Sequence, residues 1–284
     1  MGPVLRRGMQ GVEVEGLQQT LAGRGFRPGA IDGRFGPGTE AALIAFQRAH
    51  GLLPDGIVGP VTRAKLEGDG AVLPTDVTGR IDLELVSAMF PYTRLDSIAR
   101  HLPVVLVALR QLALVDKPMV LMALATIRAE TETFEPVDEL PSRFNTSPGG
   151  HAFDLYDQRA DLGNRGRPDG DRYKGRGFVQ LTGRANYRRI GQMIGLADLL
   201  ERNPERAALP GEAARVLAAF LASRRRPIKE ALLEGDLGRA RRLVNGGRHG
   251  LDRFSEAYRI GDALVQDEVW RCPAPAASGA YAAA

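Results

Sequence analysis

A near-repeat in the first quarter of the chain dictates how that part must fold. Asp32-Gly33-Arg34-Phe35-Gly36-Pro37-Gly38-Thr39 returns as Asp55-Gly56-Ile57-Val58-Gly59-Pro60-Val61-Thr62. Each copy reads as an Asp-Gly turn, a Gly-Pro step and a threonine able to cap a following helix. Helical patterns flank the copies. Val14, Leu17, Gln18 and Leu21 share one face of a first helix, and Ala41, Ile44, Ala45 and Gln47 to Ala49 suggest the face of a second. The expectation is a three-helix unit of about 65 residues, closed by tight turns because so short a chain has little core to spare.

Residues 68–78 hold Gly, Pro and polar residues without a sustained period, and read as a linker. Residues 79–272 form the expected larger domain, mostly helical in pattern. Within it, 136–171 is rich in Gly, Pro, Asn and Asp and reads as long loops, the kind that carry function on a compact frame. The Pro/Ala tail 273–284 is expected to be disordered.

Pro118 is placed to open a helix that is apolar on nearly every side through Ile127, and such a helix belongs in a core. Glu130 follows near its end, on the face of Ala123, Thr126, Ile127 and Phe134, while Glu132 points away. A carboxyl among apolar side chains, near the negative end of a helix dipole, is biased toward its neutral form, as a general acid requires. From the residues alone, Glu130 is either such an acid or a solvated glutamate on a fraying turn. Further on, Tyr173-Lys174-Gly175-Arg176-Gly177-Phe178-Val179-Gln180-Leu181-Thr182-Gly183-Arg184-Ala185-Asn186-Tyr187 sets glycines beside an arginine, then Gln180 and Thr182 at alternate positions. Glycine allows close backbone approach, and amides and hydroxyls bind sugars without titrating. Tyr156 and Tyr187 are assigned to the core.

Composition narrows the partners. The net charge of +4 favours acidic polymers, among them an anionic cell envelope. The aromatic interleaving of single-strand binders is missing, so nucleic acid is not expected. One cysteine, Cys272, permits no internal disulfide, and four scattered histidines offer no zinc spacing; neither metal nor cofactor is expected. No apolar run is long enough to span a membrane, and the first residues lack the apolar core of a secretory signal. Cytoplasmic synthesis, a monomer, and delivery by some other route, such as membrane permeabilisation or injection, are expected.

The N-terminal pattern over residues 4–66 resembles the peptidoglycan-binding domain 1 family, through Leu17-Gln18, Gly25-Phe26, Asp32 to Gln47 and Asp55 to Leu66. That resemblance implies peptidoglycan as partner, with Asp32, Arg34 and Phe35 as candidate contacts. The Tyr173–Tyr187 stretch resembles the signature of glycoside hydrolase family 19, the chitinases and phage endolysins. Asp154 to Asp157, Asp161 to Asn164, Leu243 to Gly247 and Gly250 to Arg253 follow the family's order.

The resemblance implies a mainly α protein, a small binding domain joined to a larger α-rich, lysozyme-like (α+β) catalytic domain. It implies Glu130, in Ala129-Glu130-Thr131, as general acid, although Ala129 stands where the family has histidine. Glu139 best matches the base, with Asp138 and Glu135 as competitors. Thr182 would orient the attacking water, and Gln180, Asn186, Asn245 and Arg176 would bind sugar. The expected activity is hydrolysis of β-1,4 bonds between N-acetylmuramic acid and N-acetylglucosamine. A chitinase and a non-catalytic wall-binding protein are the alternatives.

Overall fold

The computed structural model describes residues 4–68, 76–247 and 249–266. The chain divides into two compact units, one of Met1–Thr75 with Lys229–Asp236 and one of Asp76–Ile228 with Leu237–Gln266. Most of the expected linker, and all of the expected tail, lie outside the described residues.

In the first unit α1 (Val12–Gly23), α2 (Pro37–Ala49) and α3 (Pro60–Glu67) surround Leu17, Leu21, Leu43, Phe46, Val58 and Leu66. Proline opens both α2 and α3, where its missing N–H costs no hydrogen bond. The face expected on α1 is the buried one, but that of α2 is rotated. Ala42, Leu43, Phe46 and Gln47 are buried, whereas Ala41 and Ala45 face solvent. Phe46 sets that rotation, packing edge-on against Phe26 at 5.4 Å.

The repeat works through two glutamines. Gln18 Nε2 donates to Asp32 Oδ1, Arg34 O and Thr39 Oγ1, and its Oε1 accepts from the Asp32 and Gly33 N–H groups. Gln47 does the same for the second copy, donating to Asp55 Oδ1, Ile57 O and Thr62 Oγ1 and accepting from Gly56 N–H. Each amide therefore clips an Asp-Gly turn to the helix before it. Asp32 is spent on this, its carboxyl held below the usual range by Gln18 and the Arg34 N–H. Phe35, expected as a wall contact, is a core side chain at 2% exposure, its backbone tied to Met9 and Gly8. Only Arg34 and the rim of Asp32 remain exposed.

The second unit is mainly helical: α4 (Leu83–Met89), α5 (Leu95–Gln111), α6 (Lys117–Thr131), α7 (Asp154–Asp157), α8 (Asp169–Arg172), α9 (Arg184–Met193), α10 (Leu199–Arg202), α11 (Pro210–Ala222), α12 (Arg225–Leu233, counted here as far as Ile228), α13 (Leu237–Asn245) and α14 (Leu251–Leu264). One short antiparallel pair interrupts them, β1 (Val137–Asp138) on β2 (Arg176–Gly177), with Val137 opposite Gly177 and Asp138 opposite Arg176. α6 is the buried axis. Asp116 caps it by accepting the Met119 N–H, and every residue from Lys117 to Ala129 is buried. α14 lies along it, with Gly261 so close that a Cβ there would come within 2.5 Å of Leu121 Cδ2. α6 ends at Thr131, and Glu132 turns the chain with φ of 43°. Glu130 is thereby held on the last turn of a fixed helix.

Replacing Gln47 with alanine would strip partners from the Gly56 N–H and the Ile57 carbonyl. Two buried backbone groups left without their amide should cost about 2–4 kcal/mol, read as a lowered midpoint in urea unfolding of residues 1–67.

Candidate functional site

A cleft of about 530 Å³ in the second unit is lined by Glu130, Asp138, Glu139, Tyr156, Gln180, Thr182, Asn186 and Asn245, with Val137, Leu162, Val179, Leu181, Phe220, Val244 and His249 completing its walls. Six of the seven residues expected at a sugar site thus meet from α6, the loop after β1, the segment after β2, α9 and α13. The seventh, Arg176, does not reach the cleft wall. It is buried behind β2, where Nη1 donates to Arg172 O at 2.8 Å and to the Tyr187 hydroxyl at 3.0 Å, and Nε lies 3.3 Å from Asp138. Its Nη1 is thus turned to backbone and core on the far side of the β1–β2 pair, away from the residues that line the cleft.

Glu130 is not in the apolar surroundings expected for it. Oε1 accepts from Arg241 Nη2 at 2.8 Å, and that guanidinium is fully buried. Arg241 also donates twice to His249 O, so the carboxyl is anchored to the turn after α13. Nothing in the residue pattern marks this pair, because Arg241 is one of several arginines on a basic helix and only packing selects it.

Glu139 accepts three hydrogen bonds. Asn145 Nδ2 and the Tyr156 hydroxyl donate to Oε1, each at 2.9 Å, and the Gly175 N–H donates to Oε2 at 2.9 Å. The Glu139 N–H donates in turn to Gly175 O at 2.8 Å. Burial, together with the charge of Glu139, pushes the Tyr156 phenol up to about 12, so it remains a donor at any ordinary pH. Tyr156 was expected in the core; it lines the cleft instead, because its hydroxyl must reach Glu139. Tyr187 is the core tyrosine, buried beneath Arg176.

The competing carboxylates are placed differently. Glu135 accepts from Ser97 Oγ at 2.7 Å and is not among the lining residues. Asp138 lines the cleft, but it is half-exposed and paired across the strands with Arg176.

Around Gly175 three oxygens converge. A Cβ built there would lie 2.7 Å from Gln180 Oε1, 3.0 Å from Glu139 Oε2 and 3.3 Å from Thr182 Oγ1. Gln180 adopts a left-handed φ of 50°, uncommon outside glycine, and its Nε2 donates to Val137 O and Gly177 O. Its amide is thus fixed with the oxygen toward Gly175. Thr182 Oγ1 donates to Gln180 O, Asn186 Nδ2 donates to Thr182 O, and Asn245 donates through Nδ2 to His249 O while its Oδ1 accepts the Gly247 N–H.

Residues 10–66 match the family described as putative peptidoglycan binding domain. The zinc D-Ala-D-Ala carboxypeptidase of Streptomyces albus G is 48% identical over 67 residues, 22% of this chain and 25% of that protein. The N-acetylmuramoyl-L-alanine amidase CwlM of Mycobacterium tuberculosis is 45% identical over 58 residues, 20% of this chain and 14% of that protein. The chain therefore spans a quarter or less of these curated relatives. Among solved structures, chitinase C of Streptomyces griseus HUT6037 aligns with 71% of this chain and 82% of its own, at 20% identity and a TM-score of 0.46.

The cleft wall is braced from behind by an ion-pair cluster. Arg184 bonds both oxygens of Asp169 and one of Glu201, and Arg188 bonds both oxygens of Glu201. Burial pushes the Asp169 carboxyl up, but the Arg184 hydrogen bonds and the Arg165 N–H outweigh it and hold it below its ordinary value. Arg188, then Arg184, hold Glu201 below its own. A carboxylate depressed in the folded state adds stability that is complete above its unfolded value and is lost as pH falls through the folded one. The thermal unfolding midpoint should therefore fall as the pH drops below about 4. The gap between the wild type and Arg184→Met should be widest near neutral pH and close as Asp169 and Glu201 protonate.

Proposed function

We propose that this chain degrades bacterial cell wall, its first unit holding peptidoglycan and its second cutting the β-1,4 bonds of the glycan backbone. The observation that carries the reading is the meeting of Glu130 and Glu139 in one cleft, each held by its own set of donors, with Thr182 and Gln180 beside the second. A glycosidase that inverts needs an acid for the leaving oxygen and a separate base for water. The family match of residues 10–66 supports peptidoglycan as the polymer.

In this reading Glu130 delivers a proton to the glycosidic oxygen, with Arg241 fixing the direction of its carboxyl. Glu139 takes a proton from the attacking water. Its three donors leave the carboxylate one orientation, and Thr182 and Gln180 present oxygens to the same water. Asn186 and Asn245 are placed along the cleft to meet N-acetyl groups. Tethering to an insoluble polymer raises the local concentration of the cleft at its substrate. No described helix is long and apolar enough to cross a membrane.

Mass spectrometry of soluble products from purified peptidoglycan tests the reaction. Muropeptides with a new reducing sugar support hydrolysis and name the bond, whereas an anhydro end means transglycosylation. Chitin oligomers cut while peptidoglycan is bound intact would move the substrate to chitin. Glu130→Gln should lower turnover by about 10²–10⁴ while wall binding persists; an undiminished rate would remove Glu130 from the mechanism. Gly175→Ala should lower kcat by about a hundredfold with little change in melting temperature, because the atoms displaced are the ends of Gln180 and Glu139.

A further inference from the structure

Two arginines beside the cleft stand without a carboxylate partner among the described residues. On α9, Arg184 and Arg188 are held by Asp169 and Glu201. Arg189, on the same helix, is not. Its Nη2 donates to Asn186 Oδ1 at 3.3 Å, and its Nη1 lies 3.9 Å from Met193 Sδ. The second is Arg224, just past the end of α11. Its guanidinium sits over the Phe220 ring, 4.2 Å from the centre, and Nη1 donates to Ser223 Oγ at 3.2 Å. Asn186 and Phe220 both line the cleft, so each arginine rests on a residue of its wall.

The two cations act on one another. Burial, then the charge of Arg189, holds the Arg224 guanidinium below its ordinary value, and no acid offsets them. α9 packs on α11, which keeps both like charges in place. Half-buried cations are ordinarily answered by carboxylates, as Arg184 and Arg188 are. Without one they repel, and an anion entering beside them relieves the repulsion. A guanidinium lying on a ring keeps the N–H groups of its edge for a planar oxyanion such as a carboxylate. None of the unpartnered donors of this pair is sealed from solvent.

We propose that Arg189 and Arg224 form an anion site on the α9–α11 side of the cleft, taking a carboxylate of the stem peptides borne by a peptidoglycan strand. The proposal rests on the glycosidase reading for the path of the strand. Stem peptides branch from the sugars, so their carboxylates hang beside the strand, where cations on the wall meet them. Chitin carries none. The site thus separates the two polymers without contact to Glu130 or Glu139.

The test compares the full chain with Arg224→Gln and Arg224→Lys, assayed for reducing ends on soluble strands of equal length. These are peptidoglycan with its stem peptides, the same strand with the peptide carboxyls converted to amides, a strand stripped of its peptides, and chitin. Arg224→Gln should lose about tenfold in kcat/KM on the acidic strand, the effect of one charge-assisted bond, carried by KM. It should match the wild type on the amidated strand and on chitin, and Arg224→Lys should recover most of the loss. Equal losses on all strands, or none on any, would overturn the site. The stripped strand bares the lactyl carboxylates of the sugars, and a tenfold loss kept there would overturn the peptide as source of the anion. In parallel, the Arg224 side-chain N–H resonance, identified by its absence from Arg224→Lys, is followed in Glu130→Gln as each strand is added. If the wild type releases no reducing ends the hydrolytic reading fails, and this resonance alone decides the site: a shift with the acidic strand but not the amidated one upholds it, and no such difference removes it.

Discussion

The two-way bond between Glu139 and Gly175 organises the second unit's cleft. The Glu139 N–H reaches Gly175 O, and the Gly175 N–H reaches the Glu139 carboxyl. The loop after α6 and the stretch before α9 are joined there, just beyond the β1–β2 pairing. Glycine leaves the contact undisturbed, since a Cβ there would push on the side-chain ends of Gln180, Glu139 and Thr182. Everything else at the site is referred to this junction: Tyr156 and Asn145 close on Glu139 from one direction, and Gln180 is turned toward it by a strained backbone.

The opposite carboxyl is held by other means. Glu130 sits at the end of a helix buried along almost its whole length, so its position is set by core packing rather than by loops. Its partner Arg241 is itself fully buried. A buried arginine is costly unless its donors are occupied, and Glu130 and His249 O occupy several of them. One carboxyl is therefore rigid because its helix is, and the other because three donors converge on it.

The first unit shows a second use of amides. Gln18 and Gln47 each satisfy the groups of an Asp-Gly turn that a unit this small has no other means to bury. The near-repeat in sequence is a repeat of this bonding pattern. It explains why Asp32 and Phe35, which stand out in the motif, serve the fold: motif strength reports what a turn requires, and a turn requires its aspartate and its core side chain whether or not a ligand binds.

The sequence by itself determined the three short helices of the first unit, two of them after Gly-Pro steps, the buried helix opened by Pro118 and ended near Glu130, and the loop-rich interval that supplies Glu139. These follow from local rules, in which proline, capping residues and hydrophobic period act within a few residues. Most of the residues it named for a sugar site do line the cleft. Tertiary structure alone decided that Arg241 pairs with Glu130, that Tyr156 leaves the core for Glu139, that Arg176 turns to Arg172 O and Tyr187 rather than to the cleft, and which face of α2 is buried. Each of those outcomes joins a side chain to a partner on another element or chooses between two nearly equivalent faces. Such choices depend on distances across the fold, and no local pattern carries them.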